Sequence, residues 1–179
     1  HLYNLLQKKL FDLPNLKKKE NKFIKILEIG PAEGIIARVL RDKEYDIQLL
    51  EYEKEGIKCV PKSEVYYPGM ITKYCEFNKS DFPYEDKSFD VIMSFGVIEH
   101  QEPPTAHFWE ESYRLLKDGG YLFVDNPNPL NLRKRINSLL GLDANNDITD
   151  YYNQEGYFTG HYREHSKREL LYCLKQNME

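Results

Sequence analysis

The sequence predicts an α/β fold: a doubly wound, mostly parallel sheet flanked by helices. Three observations predict it. Short, nearly continuous apolar runs recur along the chain, and such runs suit strands buried on both faces. Segments with apolar residues at helical spacing separate them, the rhythm of strand–helix–strand crossovers. A glycine turn, Gly30 to Gly34, joins the first run directly to a helical segment.

The elements follow in order. Leu2, Leu5, Leu6 and Leu10 predict an amphipathic opening helix. Pro14 and the Lys17–Lys18–Lys19 run then read as a solvated linker, so residues 1–22 form a leading segment. Ile24 to Ile29 is the first strand, and Ile35, Ile36, Val39 and Leu40 mark the helix after the turn. Asp46 to Glu51 is the second strand, with a short helix expected after Tyr52. Thr72–Phe77 and Asp90–Phe95 supply a third and a fourth strand. Ala106, Trp109, Tyr113 and Leu116 line one helix face, which Gly119 and Gly120 are expected to stop. Gly120 to Asp125 is the fifth strand. Beyond it, Leu132, Ile136, Leu139 and Leu140 predict a helix closed by Gly141. Residues 142–165 are polar, aromatic and irregular, and a loop that long is expected to serve function. Ser166 and Glu169 form a capping box opening a last helix with Leu170, Leu171 and Leu174. The expectation is one domain over 1–179, with a cofactor-binding core at 23–128 and an acceptor-side cap at 129–179. No strand follows the last helix, so the C-terminal strands of the sheet are expected to be missing.

Composition narrows the function classes. The 179 residues carry 25 Lys plus Arg against 29 Asp plus Glu, a net charge of -4. That balance argues against a nucleic-acid binder relying on phosphate neutralisation. No apolar run approaches the roughly 18 residues of a spanning helix. The chain starts at His1 without a signal peptide, and a cytoplasmic location is expected. Cys59, Cys75 and Cys173 are odd in number and widely spaced, which suits a reducing compartment and small core side chains.

Two features carry chemistry. In Glu28-Ile29-Gly30-Pro31-Ala32-Glu33-Gly34, glycines let a ligand come close to the backbone. Glu51 ends the next strand about 20 residues on, the separation at which a strand-end carboxylate accepts from ribose hydroxyls. Together they describe a nucleoside-containing cofactor across the carboxyl ends of the strands. The competing account is a tight turn without a ligand, with Glu28 capping backbone amides.

ILEIGPAEG, the acid at Glu51, SDFPYEDKSFDVIMSFGVIEH and LLKDGGYLFVDNPN together resemble the class I S-adenosylmethionine-dependent methyltransferases, from about Ile24 to Asn128. The resemblance implies a Rossmann-like sheet, S-adenosyl-L-methionine as donor and S-adenosyl-L-homocysteine as product. It implies that Glu28 orders the turn and reaches the cofactor amine, and that Gly30, Pro31, Ala32 and Gly34 line the methionine and ribose portion. Glu51 then holds the ribose, Tyr52 packs on adenine, and Ser94 and Phe95 offer backbone groups to the methionine end. Asn78 stands where the family carries an acid reading the adenine amine. A carboxamide can do the same, or can serve as a loop cap.

Methyl transfer asks the protein chiefly to align nucleophile, methyl and sulfur. A hydroxyl nucleophile also benefits from a base, and His161 and His100 are the two candidates. The alternatives are a backbone-bonded His100 at the sheet edge and a His161 ordered by stacking. Tyr162 and Arg163 could meet a polar or anionic acceptor. Some small-molecule and small-RNA O-methyltransferases that this stretch resembles carry Glu-x-x-Glu-His here and bind a divalent cation. Gly96 stands where the first Glu would be, so Glu99 and His100 leave a hard cation short of oxygen ligands, and no metal is expected. The expected reaction is O-methylation of a small polar acceptor, such as a sugar or sugar nucleotide of a bacterial surface glycan. The tail from Gly160 to Ser166 resembles enzymes of that kind. The rivals are an RNA or protein methyltransferase, favoured by a basic face of Arg133, Lys134, Arg135, Arg163, Lys167 and Arg168; a cofactor-binding subunit without turnover; and a nicotinamide-binding domain.

Overall fold

The computed structural model describes residues 13, 14, 16, 20–58, 68–143, 152 and 160–176. The expected opening helix and the Lys17–Lys19 run lie outside the described residues, as do Cys59 and much of the irregular insert. Six strands are described: β1 Lys25–Ile29, β2 Asp46–Lys54, β3 Ile57–Lys58, β4 Ile71–Cys75, β5 Phe89–Ser94 and β6 Leu116–Val124. Four helices accompany them: α1 Ile35–Asp42, α2 Ala106–Leu115, α3 Leu132–Leu139 and α4 Lys167–Lys175. Short 3-10 turns occupy Asn21–Phe23 and Ile98–His100.

The strands β4, β2, β1, β5 and β6 lie side by side and run parallel. β1 sits between β2 and β5, so the strand order reverses at β1. In an open parallel sheet, the crevice outside the carboxyl ends at such a reversal is where ligands bind. Alternation along β1 feeds two cores. Ile26 faces α1 with Ala37, Leu40, Ile47, Leu49, Val91 and Met93. Leu27 and Ile29 face the other side with Phe82, Phe89, Phe108, Trp109 and Leu115, against which α4 lays Leu170, Cys173 and Leu174. Burial on both faces explains why β1 and β5 read as nearly continuous apolar runs.

Two expectations are corrected. No helix follows Tyr52 directly. β2 continues to Lys54 and turns back through Glu55 and Gly56 into β3, which pairs antiparallel with it. Both turn residues have positive φ, 53° and 79°, the backbone of a two-residue hairpin turn. Nor do the paired glycines stop α2. The helix ends at Leu115, Leu116 is already extended, and both glycines lie inside β6. There Gly119 takes φ 72° and the ladder to β5 shifts register between Phe89 and Val91. A Cβ on Gly120 would stand 2.9 Å from the Lys117 carbonyl oxygen.

Candidate active site

The turn from β1 to α1 is built from three left-handed residues, Gly30, Ala32 and Gly34. Gly30 donates to the Leu50 carbonyl at 2.8 Å, locking the turn to β2, and Gly34 donates to the Pro31 carbonyl at 2.7 Å. Gly30 is also required for space: a Cβ there would meet Val97 Cγ2 at 2.5 Å. Pro31 is buried beneath the turn, whereas Ala32 is exposed at its tip.

Two carboxylates hold this turn. Glu51, 2 % exposed at the carboxyl end of β2, accepts from the Ala32 amide at 3.1 Å and from the Tyr52 amide at 3.2 Å. Glu28, in mid-β1 and 4 % exposed, lies under the start of α1. Its carboxyl is pushed up to about 8 by burial, which outweighs the Ala37 amide that favours the anion, and Glu51 raises it further. Ala37 is among the first residues of α1, whose glycine N-cap offers no side chain. The capping and cofactor roles for Glu28 are therefore compatible, because Oε2 stays buried without a partner.

The adenine-side candidates gather at the next strand ends. Tyr52 meets Phe77 edge-on with ring centroids 5.2 Å apart. Asn78 donates to the Glu102 carbonyl, while its Oδ1 is buried and unpartnered. Ser94 is fully buried and its Oγ has no partner; its carbonyl accepts from Asp125 at 3.2 Å. Phe95 packs toward the α1-side core.

The two candidate bases come together. Gly96 donates to Asp125 Oδ1 at 2.7 Å, and the turn that follows presents Glu99 and His100. The Glu99 carbonyl accepts from Tyr162 at 2.7 Å and from Arg163 at 3.3 Å, which fastens the distant loop to this strand end. His100 Nδ1 lies 3.1 Å from the Gly160 carbonyl, and the His100 and His161 rings meet edge-on with centroids 4.7 Å apart. His161 Nδ1 lies 3.4 Å from Glu164 Oε1, and Glu164 pairs with Lys134 of α3. Glu99 is 3 % exposed, and its carboxyl is raised by burial despite an opposing backbone amide and the two nearby imidazoles. Arg163, by contrast, is an exposed residue engaged with Glu169 at 2.5 Å. Sequence reasoning paired Glu99 with His100 but missed Glu164, Lys134 and Asp125 as members of this cluster. The one local signal was Glu164, three residues beyond His161.

The residues fit an adenosine-bearing donor. Among the described residues, Glu28 Oε2, Asn78 Oδ1 and Ser94 Oγ are buried polar atoms awaiting partners around a turn with exposed backbone. Comparison with known proteins agrees. The profile of a methyltransferase domain family matches residues 3–176. A Mycolicibacterium smegmatis protein described as a probable S-adenosylmethionine-dependent methyltransferase is 32% identical over 103 residues, covering 58% of this chain and 38% of that protein. A phthiotriol/phenolphthiotriol dimycocerosates methyltransferase of Mycobacterium ulcerans is 28% identical over 111 residues, covering 60% of this chain and 39% of its own length. The chain thus spans under half the length of these relatives. An S-adenosylmethionine-dependent methyltransferase from Archaeoglobus fulgidus superposes with TM-score 0.61 at 16% identity, over 98% of this chain and 68% of that one. Phosphoethanolamine N-methyltransferase 2 of Haemonchus contortus, crystallised with S-adenosyl-L-methionine, gives 0.55 at 17% identity over 95% and 36%. The sheet order, the glycine turn and the near-complete profile match lead to one conclusion: the chain belongs to the methyltransferase domain family, with S-adenosylmethionine-dependent relatives.

Proposed function

We propose that the chain transfers a methyl group from S-adenosyl-L-methionine to an oxygen of a small polar acceptor. The observation that carries this is Glu28 Oε2, a buried carboxyl oxygen without a partner beneath the glycine turn, in a group that a nearby cation would return to its charged form. An ammonium group is its chemical complement. Glu51, Tyr52 and Asn78 line the neighbouring strand ends in the order ribose, ring face and ring edge. Gly30, Pro31, Ala32, Gly34, Ser94 and Phe95 supply the backbone between them. The donor brings a methyl group already activated by a positive sulfur, so these residues chiefly orient it.

His161 and His100 form the wall that meets the acceptor oxygen. Beside them opens a cleft of about 1190 Å³, lined by Gln101, Tyr162, Arg135, Lys167 and Arg168 among others. Its cationic rim favours a polar or anionic acceptor such as a sugar nucleotide. Two of the six cations of the expected basic face are committed to acids, Lys134 to Glu164 and Arg163 to Glu169, which weakens the case for RNA.

One observation favours a second acceptor class. Leu132, Leu139 and Leu140 of the α3 region stand 73%, 85% and 68% exposed, an apolar face suited to a lipid-tailed acceptor. The relative named for phthiotriol dimycocerosates points the same way. Transfer of tritiated methyl to sugar nucleotides, to extracted lipids and to bulk RNA separates these. Label on the sugar nucleotides is expected; label confined to lipid supports the second class, and label confined to RNA refutes both.

A further inference from the structure

We propose that Gln101 and His165 form an uncharged subsite that reads neighbouring hydroxyls of the acceptor, so that the cleft before α4 selects a polyol ring. Both side chains line that cleft. They come from two distant stretches of chain, joined where the Glu99 carbonyl accepts from the Tyr162 and Arg163 amides. Gln101 lies two residues beyond Glu99, and His165 two residues beyond Arg163. The backbone junction therefore fixes where both side chains begin.

Gln101 is 7 % exposed, and neither its Oε1 nor its Nε2 has a partner. Among the described residues, no other side chain leaves two buried polar atoms unpaired. A carboxamide orphaned at both ends lowers the stability of the free protein, and an apolar side chain of the same length would not. The backbone gives no reason for a glutamine here. Its amide donates to the Ile98 carbonyl at 3.2 Å, a bond that any residue except proline makes. His165 repeats the pattern: its Nδ1 is buried without a partner, while Asn126 Nδ2 holds its carbonyl at 2.6 Å. Burial and the neighbouring Arg163 lower the pKa of His165, so the ring stays neutral and offers one donor and one acceptor.

The unpaired atoms decide the ligand class. A phosphate or carboxylate presents acceptors only and would leave Gln101 Oε1 unpaired. An ammonium presents donors only and would leave Nε2 unpaired. Two adjacent hydroxyls satisfy both, since each gives and takes, and a further hydroxyl meets the imidazole. Rotation about the terminal torsion of Gln101, which has no sharp minima, turns the amide toward a docked group. Tyr172, 65% exposed on the same cleft, offers an apolar ring to the C–H face of a sugar. Arg135, Lys167 and Arg168 are exposed along the cleft and suit a phosphate attached to that sugar. The inference rests on the methyl-transfer reading above in taking this cleft as the acceptor's, whereas the hydroxyl recognition does not depend on the donor.

The test titrates the whole chain by calorimetry with UDP-glucose, GDP-mannose and dTDP-glucose, each beside its nucleoside diphosphate without the hexose. At least one conjugate is expected to bind more tightly than its diphosphate. Gln101→Met should remove that advantage, weakening the conjugate tenfold or more while leaving the diphosphate as it was. His165→Phe should act in the same direction. Gln101→Met should also raise the unfolding midpoint of the free protein by a few degrees, because an orphaned amide gives way to an apolar chain of matching shape. A midpoint that falls would mean that the amide is paired for structure, and overturns the proposal. So does a folded parent with no preference for any hexose conjugate, an equal loss for conjugate and diphosphate, or an undiminished preference in Gln101→Met. Hexose binding that depends on Gln101 in a chain that ignores S-adenosylhomocysteine leaves the subsite standing and sinks the methyl-transfer reading instead.

Discussion

Glu28 shows what one residue can reveal. Burial raises its carboxyl to about 8 from an ordinary 4.5, so the folded chain holds a proton that the unfolded chain has released. Between those two values the folded state binds more protons, and stability contributed by this group falls as pH rises from 4.5 through about 8. The free protein should therefore lose thermal stability across that window, and Glu28→Gln should flatten the loss by a few kcal/mol, as read by unfolding midpoints at pH 5 and pH 8.5. Equal slopes in the two proteins would show that the carboxyl titrates normally. The placement of Glu28, Gly30 and Glu51 was legible in the sequence because it is local: a strand, the turn after it and the next strand's end. The His161–Glu164 contact was half legible, since the spacing is short. The meeting of His161 with Glu99 and His100 was not, because it depends on a loop returning from far along the chain.

Among the elements, α2 is tied to the loop at residues 82–86 through Arg114. Its guanidinium reaches Glu111 through both Nε and Nη2, the Phe82 and Tyr84 carbonyls, and Asp86. Burial alone would raise the Glu111 carboxyl, but Arg114 and the Phe82 amide together hold it below the usual range. One side chain thus ties the SDFPYED loop to the helix that covers β5. Arg114→Met keeps most of the packing but leaves the buried Glu111 unpaired. It should cost about 3 kcal/mol in chemical denaturation, and a loss below about 0.5 kcal/mol, the level of a surface pair, would show the network to be solvated. The elements read best where a local rule dominates. The capping box at Ser166 is present in both directions, with Glu169 Oε2 2.8 Å from the Ser166 amide. β6 read less well, because its glycines serve a bulge against β5 that no local window contains. The β2–β3 hairpin was missed because Glu55, at φ 53°, is an unusual residue for that turn.

At the scale of the whole molecule, the order β4-β2-β1-β5-β6 puts the glycine turn, Glu51, Asn78 and the Glu99–His100 turn along one carboxyl edge. Alternating periodicities were enough to anticipate a parallel sheet, since parallel neighbours need crossovers and crossovers need helices. They could not give the meeting of the Glu99–His100 turn with the loop before α4. The account stands or falls on whether that edge holds an adenosine-bearing ligand. The most direct measurement is titration calorimetry with S-adenosylhomocysteine on the parent chain and on Glu51→Ala. We predict saturable one-to-one binding by the parent and a loss of tenfold or more in the variant, equivalent to at least about 1.4 kcal/mol, with unfolding midpoints showing both folded. No heat of binding in the folded parent, or the same affinity in both proteins, would contradict it.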